Sequence, residues 1–356
     1  MRLGFMLALL VSGFFASDPS MVLAGKEDGR FDLYFIDVEG GAATLLVTPA
    51  GESILIDSGY PDYGGRDRDR ILHVVKDVAR LQQIDHAVVS HWHLDHYGNH
   101  AAIAALFPIK TFWDRGIPDS LKDDAKFAER IADYRAASQN ASRALTAGDQ
   151  FQAETPNLPI RVTVLSASRE VIKNTGKPNP FAAEHTPKPD DSSDNAASLS
   201  ILFEMGKFRF LTCGDLTWNL EAQLVTPNNP IGQIDLFMVT HHGLGVSNNP
   251  VFVKAIDPIV AVMCNGPSKG GDPNVIKTIR DCSSHQALYQ LHRNLSLNDD
   301  QQTAAEFIAN TGETENCKGE WIKASVAPDG ENYTVQIGPS GTPKRFTVRA
   351  ETESTR

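Results

Sequence analysis

Ser90-His91-Trp92-His93-Leu94-Asp95-His96-Tyr97-Gly98-Asn99 brings three imidazoles and a carboxylate into the short span 91–96. The apolar run 84–89 directly before it reads as a buried strand, so the polar cluster stands where a strand gives way to a loop. His91 and His93 are two apart. On an extended segment they point the same way and can hold one metal ion. Asp95 and His96 follow on the loop and can hold a second ion beside it. Imidazole and carboxylate without thiolate suit zinc first, with manganese or iron as the other choices.

The same arrangement recurs along the chain. A strand pattern over 53–56 ends in Asp57-Ser58-Gly59, and a hairpin over 199–204 and 208–212 ends in Gly214-Asp215. The apolar run 234–239 delivers His241-His242-Gly243, and 259–263 delivers a Gly-rich loop with Asn265, Lys269 and Asp272. Loops at one edge of a sheet converge, so these groups can form one site although they are far apart in sequence. Together they supply enough ligands for two divalent ions about 3.5–4 Å apart. Asp57 reads as a carboxylate that orients its neighbours or caps a turn. Asn265 and Lys269 are candidate substrate contacts, the alternative for Lys269 being a solvated turn residue. His73 reads as a surface residue and His86 as structural.

The elements that must position these groups are legible in outline. Composition is ordinarily globular, with 41% hydrophobic and 22% charged residues in 356. Arg2, the apolar stretch 3–15 and the small residues up to Ala24 have the order of a secretory signal, cut after Ala24 or alternatively after Ala16. The remainder, 25–356, is expected to be a single domain, exported to the periplasm or the exterior, with no membrane span and no obligate protein partner. Apolar spacing predicts an amphipathic helix over 70–81. The stretch 119–147 reads as a polar helical insertion on the surface, and 166–194 as a long loop able to cover the site. Strands over 321–326, 333–337 and 345–348 form a terminal β meander. A net charge of −11 disfavours nucleic acid as the substrate without excluding it. Cys282 and Cys317 can pair in an oxidising compartment, although sequence does not fix the connectivity.

The ordered set Ile54-Leu55-Ile56-Asp57-Ser58-Gly59, His91-x-His93-x-Asp95-His96, Thr212-Cys213-Gly214-Asp215 and His241-His242-Gly243 resembles the metallo-β-lactamase superfamily. Within it the chain looks similar to the branch of the DNA-uptake channel hydrolase domain and the phosphorylcholine esterases, through Asn195 and Ser198 at a strand start. The resemblance implies an α/β fold, a four-layer αββα sandwich with the site at one edge. It implies His91, His93 and His242 on one ion, Asp95 and His96 on the other, Asp215 bridging both, and His241 behind them or on the substrate. Asp272 stands where that branch often has a histidine, and as a ligand it either shifts the second site towards manganese or iron or leaves that site weak. A further histidine common in the superfamily between the cluster and the bridging Asp has only His185 as a counterpart.

The expected activity is a secreted metal-dependent hydrolase of phosphodiesters or related small esters, acting through a metal-bound hydroxide oriented by Asp95, with His241 or a metal-bound water as proton donor. The substrate is then a small or anionic ester. The alternatives are opening of a lactam, lactone or thioester, a nuclease, and a metal-binding protein without catalysis.

Overall fold

Alternation along the first strand sets the architecture. Phe31, Leu33 and Phe35 enter one hydrophobic core while Tyr34 and Ile36 enter another, and all five are fully buried. A strand covered on both faces must lie between two packed layers. The computed structural model describes residues 28–153 and 155–350. The signal-like segment 1–24 lies outside the described residues.

The first sheet runs, in spatial order, Lys344–Thr347, Asn332–Ile337, Ile322–Val326, Phe31–Phe35, Thr44–Val47, Ser53–Ile56, Ile84–Val88, Ile109–Asp114 and Arg143–Ala144. The second runs Ile308–Asn310, Ala287–His292, Val260–Met263, Leu236–Met238, Phe208–Thr212, Ser200–Met205, Ile160–Ala167 and Gln150–Ala153, with Glu170–Val171 paired beside Ile160–Ala167. Both sheets are mixed. Ser53–Ile56, Ile84–Val88 and Ile109–Asp114 are parallel in the first, as are Phe208–Thr212, Leu236–Met238 and Val260–Met263 in the second. Parallel strands end at the same edge, which is why the loops after them meet there.

Between the sheets, Phe31 and Phe35 pack edge-on against Phe208 and Phe210. The outer face of the first sheet is covered by the helix Arg66–His73, the π-helical turn Val74–Val78 and the helices His100–Ala104, Phe127–Arg130 and Ala132–Ala137. The helices Trp218–Val225, Pro250–Ile256 and Pro273–Arg280 cover the second. The result is the αββα sandwich. Among the described residues no helix is long and apolar enough to cross a membrane.

Several elements differ from the sequence reading. The helix expected over 70–81 begins earlier, at Arg66, and finishes as a π turn. The stretch 119–147 is helical only over Phe127–Arg130 and Ala132–Ala137, and it is no surface appendage, because Phe127, Ile131 and Tyr134 are buried in the outer core. Spacings of four and three put those side chains on one helical face, a narrow stripe hidden among polar neighbours. Cys282 and Cys317 do not pair. Cys282 Sγ faces the carbonyls of Val253 and Thr278, Cys317 Sγ faces Asp37, and all four cysteines are free.

Candidate metal centre

The loop after Ile84–Val88 keeps strand alternation for three more residues. Trp92 turns outward into an aromatic cluster with Tyr97, Phe127 and Tyr134, and its indole N–H donates to the Gly116 carbonyl at 2.9 Å. Its backbone N–H donates to Asp194 Oδ2 at 2.7 Å. With Trp92 anchored, His91 and His93 face inward with ring centroids 4.7 Å apart. His93 then precedes the short helix Leu94–Tyr97, which carries Asp95 and His96.

Asp57 sits behind this loop with φ of 62°. Its Oδ1 accepts from Ser90 N at 2.8 Å and its Oδ2 from Ser90 Oγ at 2.7 Å, and Oδ2 lies 2.9 Å from His96 Nδ1. Asp215 arrives from the other sheet on a turn where Gly214 has φ of 51°. A Cβ on Gly214 would come within 3.0 Å of Ser90. The Asp215 N–H donates to Ser198 Oγ at 3.1 Å, which gives Ser198 its task.

His241 and His242 occupy consecutive left-handed positions, φ 53° and 54°. Such positions cost about 1–2 kcal/mol each outside glycine and persist only where surroundings enforce them. The Gly-rich loop is the enforcer. Gly271 N donates to the His242 carbonyl at 3.0 Å and Asp272 N to the Gly243 carbonyl at 2.9 Å. A Cβ on Gly270 would lie 2.1 Å from the His242 carbonyl oxygen, so only glycine allows that approach. His242 Nδ1 bonds the Cys264 carbonyl at 3.0 Å, and His241 Nδ1 bonds Ser247 Oγ at 3.0 Å.

Each imidazole is thus held through one nitrogen and presents the other. Asp215 Oδ2 is the common neighbour: His96 Nε2 lies 3.2 Å away, His241 Nε2 3.3 Å, His242 Nε2 3.4 Å and His91 Nε2 3.9 Å. His93 differs, since its Nε2 lies 2.7 Å from Asp123 Oδ2, leaving Nδ1 as its free nitrogen. The Nε2 atoms of His91, His96 and His242 and Oδ1 of Asp215 are buried without a hydrogen-bond partner. Buried polar atoms are rarely left so, and this many converging on one point fit divalent cations. The donors fall into two groups that share Asp215, one of His91 and His93, the other of Asp95, His96 and His242. His242 therefore sits with Asp95 and His96 rather than with the first histidine pair.

Electrostatics inside the cluster are strongly coupled. Burial pushes His91 well below the usual imidazole range, and burial pushes His241 down to about 4. For His96 burial acts in the same direction, but Asp215, Asp95 and Asp57 outweigh it and hold it well above that range. Burial would raise Asp95 and Asp215. Neighbouring imidazoles, His96 first for Asp95 and His241 first for Asp215, instead hold both carboxyls well below the usual carboxylate range.

Other sequence candidates fall elsewhere. Asp272 is not among the gathered donors: it is the N-cap of Pro273–Arg280, its Oδ1 accepting from Asn274 N at 2.8 Å. Asn265 is fully buried, and its amide donates to the His292 and Gly266 carbonyls. His185 Nδ1 lies 3.1 Å from the Asn249 amide and is not in the cluster. Lys269 does reach the centre, pairing with Asp95 Oδ2 and lying 3.4 Å from the Tyr60 hydroxyl. Sequence reasoning missed Asp123, which lies in the polar stretch 119–147 with no motif to mark it, and Ser247, an ordinary loop serine.

Residues 36–204, which include the whole His91–His96 cluster, match the metallo-beta-lactamase superfamily. That match spans just under half of the chain. With the superfamily's fold and its buried His/Asp cluster, the chain is a metal-dependent hydrolase. No curated protein matches it in sequence. Among solved structures it is similar to CmlA, a diiron beta-hydroxylase from Streptomyces venezuelae, at 13% identity and TM-score 0.42 over 73% of this chain and 52% of that one. It is also similar to Tm1679, a metal-dependent hydrolase of the beta-lactamase superfamily, at 13% identity and TM-score 0.43 over 73% of this chain and 95% of that one. A third is MEM-A1, a subclass B3 metallo-beta-lactamase from a soil metagenome library, at 16% identity and TM-score 0.35 over 59% and 76%. The chain spans about half the length of CmlA.

Proposed function

We propose that this chain is an exported hydrolase of phosphodiesters or related small anionic esters, working with two divalent ions, zinc first. The observation that carries the reading is the convergence of unpartnered imidazole nitrogens around Asp215 Oδ2 at the edge of the sandwich. Divalent ions held there would lower the pKa of a bound water to about 7 and polarise an ester oxygen.

The chain's own groups divide the remaining work. His91 and His93 form one donor set and Asp95, His96 and His242 the other, with Asp215 common to both, and His241 stands beside them with Nε2 3.3 Å from Asp215 Oδ2. His241 is better suited to ligation than to proton donation, because burial keeps its ring neutral at pH 7 and Ser247 fixes its Nδ1. Lys269 and Tyr60 supply a cation and a phenol beside Asp95, which suits a substrate carrying negative charge. A cavity of about 560 Å³ is lined by Arg169, Lys188, Asp190, Trp218, Ala196 and Thr217, among others. Ala196 of this lining adjoins Asn195, whose amide is 3.5 Å from His241 Nε2. The phosphoester preference also draws on the likeness to the phosphorylcholine esterase branch, and export on the order of residues in 1–24.

A panel of bis(p-nitrophenyl) phosphate, p-nitrophenyl phosphorylcholine, nitrocefin and single-stranded DNA tests the substrate class. Turnover of the phosphodiesters with chelator-sensitive rates is expected, and turnover of nitrocefin or DNA alone overturns it. N-terminal sequencing of exported protein tests the cut after Ala24.

A further inference from the structure

Asp37, His292 and Cys317 come together outside the cluster described above. Asp37 follows the strand Phe31–Phe35 of the first sheet, His292 ends the strand Ala287–His292 of the second, and Cys317 precedes Ile322–Val326. One potential ligand atom from each lies within 4.8 Å of the others. Asp37 and His292 are fully buried and Cys317 is part-exposed, so the group opens towards solvent on the thiol side.

The partners of each group say what is missing. His292 Nδ1 bonds the Arg293 carbonyl at 2.8 Å, which leaves Nε2, and that nitrogen is buried with no partner. Cys317 Sγ donates to Asp37 Oδ2 at 3.1 Å, and the backbone N–H of Gly319 also faces the sulfur. Burial and the Asp37 carboxylate push the free thiol up to about 12, so it is a metal that must displace its proton. Arg70 approaches the same Asp37 oxygen at 3.2 Å, but it is held independently by Glu39 Oε1 at 2.9 Å and by the Asp37 and Cys317 carbonyls. Arg66 joins this network through Glu39 and Asp67. Three carboxylates, Asp37, Glu39 and Asp67, therefore face two guanidinium groups, and one negative charge is left over. A divalent cation that displaces the thiol proton adds one positive charge and cancels it.

We propose that Asp37, His292 and Cys317 form a separate binding site for a single zinc-class divalent ion that ties the two sheets together beside the hydrolytic centre. A sulfur, an imidazole and a carboxylate are a zinc-type donor set, and cobalt(II) takes the same ligands as a coloured probe. Binding forms the metal–sulfur bond and breaks the S–H bond, the proton leaving to solvent. Gly319 makes the approach possible: a Cβ there would come within 2.4 Å of Arg70 Nε.

The hydrolytic centre has no thiolate donor, so a near-ultraviolet thiolate-to-cobalt charge-transfer band distinguishes the two sites. The full chain loaded with cobalt(II) is expected to show the band, His96→Ala to keep it, and Cys317→Ser to lose it. His292→Gln should weaken cobalt binding there by more than the roughly 10–100-fold that losing an outer partner costs. No band in the unaltered chain, or a band that survives in Cys317→Ser, overturns the proposal. A second measurement needs no variant: zinc should slow alkylation of Cys317 in the native protein at least about tenfold, and equal rates with and without zinc also overturn it.

Discussion

Asp57 Oδ2 lies 2.9 Å from His96 Nδ1, on the side of the ring away from Asp215, and the same carboxylate holds the backbone N–H and hydroxyl of Ser90. A carboxylate behind a ligating imidazole fixes its tautomer and raises its basicity. Asp57→Asn keeps an acceptor for Ser90 N but loses the charge. The expected outcome is metal affinity reduced about 10–100-fold with the fold retained, read by metal titration and circular dichroism. Unchanged affinity would show that Asp57 only supports the turn.

Asp123 plays the corresponding part for His93 from the opposite side, with Oδ2 2.7 Å from Nε2 and both side chains about a quarter exposed. Solvent screening makes the pair a weak stabiliser, so Asp123→Ala should cost less than about 1 kcal/mol in a denaturant titration. Its effect on metal affinity should be larger in proportion, roughly tenfold. A large stability loss with unchanged affinity would assign Asp123 to the fold alone.

The paired histidines make a sharper contrast with the isolated one. His241 and His242 both present Nε2 to Asp215, at 3.3 and 3.4 Å, whereas His185 faces Asn249. His241→Gln and His242→Gln should each lower kcat/KM by about 100-fold or more, and His185→Gln by less than about twofold. Steady-state assays on bis(p-nitrophenyl) phosphate decide it. Full activity in His241→Gln would return that residue to the periphery.

Asp272 separates two roles that sequence alone confounded. As the N-cap of Pro273–Arg280 it should cost about 1 kcal/mol when replaced by alanine, while metal content stays unchanged. Loss of a metal ion in Asp272→Ala would restore the ligand reading.

Glu221 gives the protein a pH signature apart from the metals. It is fully buried, its Oε2 accepts from Asn249 N at 2.8 Å, and burial raises its carboxyl from 4.5 to about 7. Between those values the folded state holds a proton that the unfolded chain has released. The stabilisation is therefore complete below about pH 4.5 and lost as pH rises through 7, on the order of 3 kcal/mol in all. Urea midpoints from pH 5 to pH 8 should fall for the native chain and flatten for Glu221→Gln.

The site was legible where chemistry and chain order coincide. His91, His93, Asp95 and His96 are dense enough to read directly, and Asp57, Asp215 and the His241-His242 pair each follow an apolar strand. What stayed hidden depends on packing across the sheets. Which of the two late histidines joins Asp95 is decided by consecutive left-handed backbones under the Gly270-Gly271 clamp, which no spacing rule reveals. Asp272 follows a Gly-rich loop as a ligand would, yet the same Asp-Pro step is an equally good helix start. The strands Ala287–His292 and Ile308–Asn310 went unread because the apolar pattern there is short and flanked by polar loops. The stretch 119–147 was misjudged because a three-residue apolar stripe is weak beside many charges.

The central claim is that ions gathered around Asp215 make this chain a hydrolase. The direct measurement is hydrolysis of bis(p-nitrophenyl) phosphate by the purified chain before chelation, after chelation, and after zinc or manganese is returned, alongside Asp215→Asn. The expected result is activity abolished by chelator, restored by metal, and at least about 100-fold lower in a folded Asp215→Asn. Undiminished turnover after complete metal removal, or in Asp215→Asn, would contradict it.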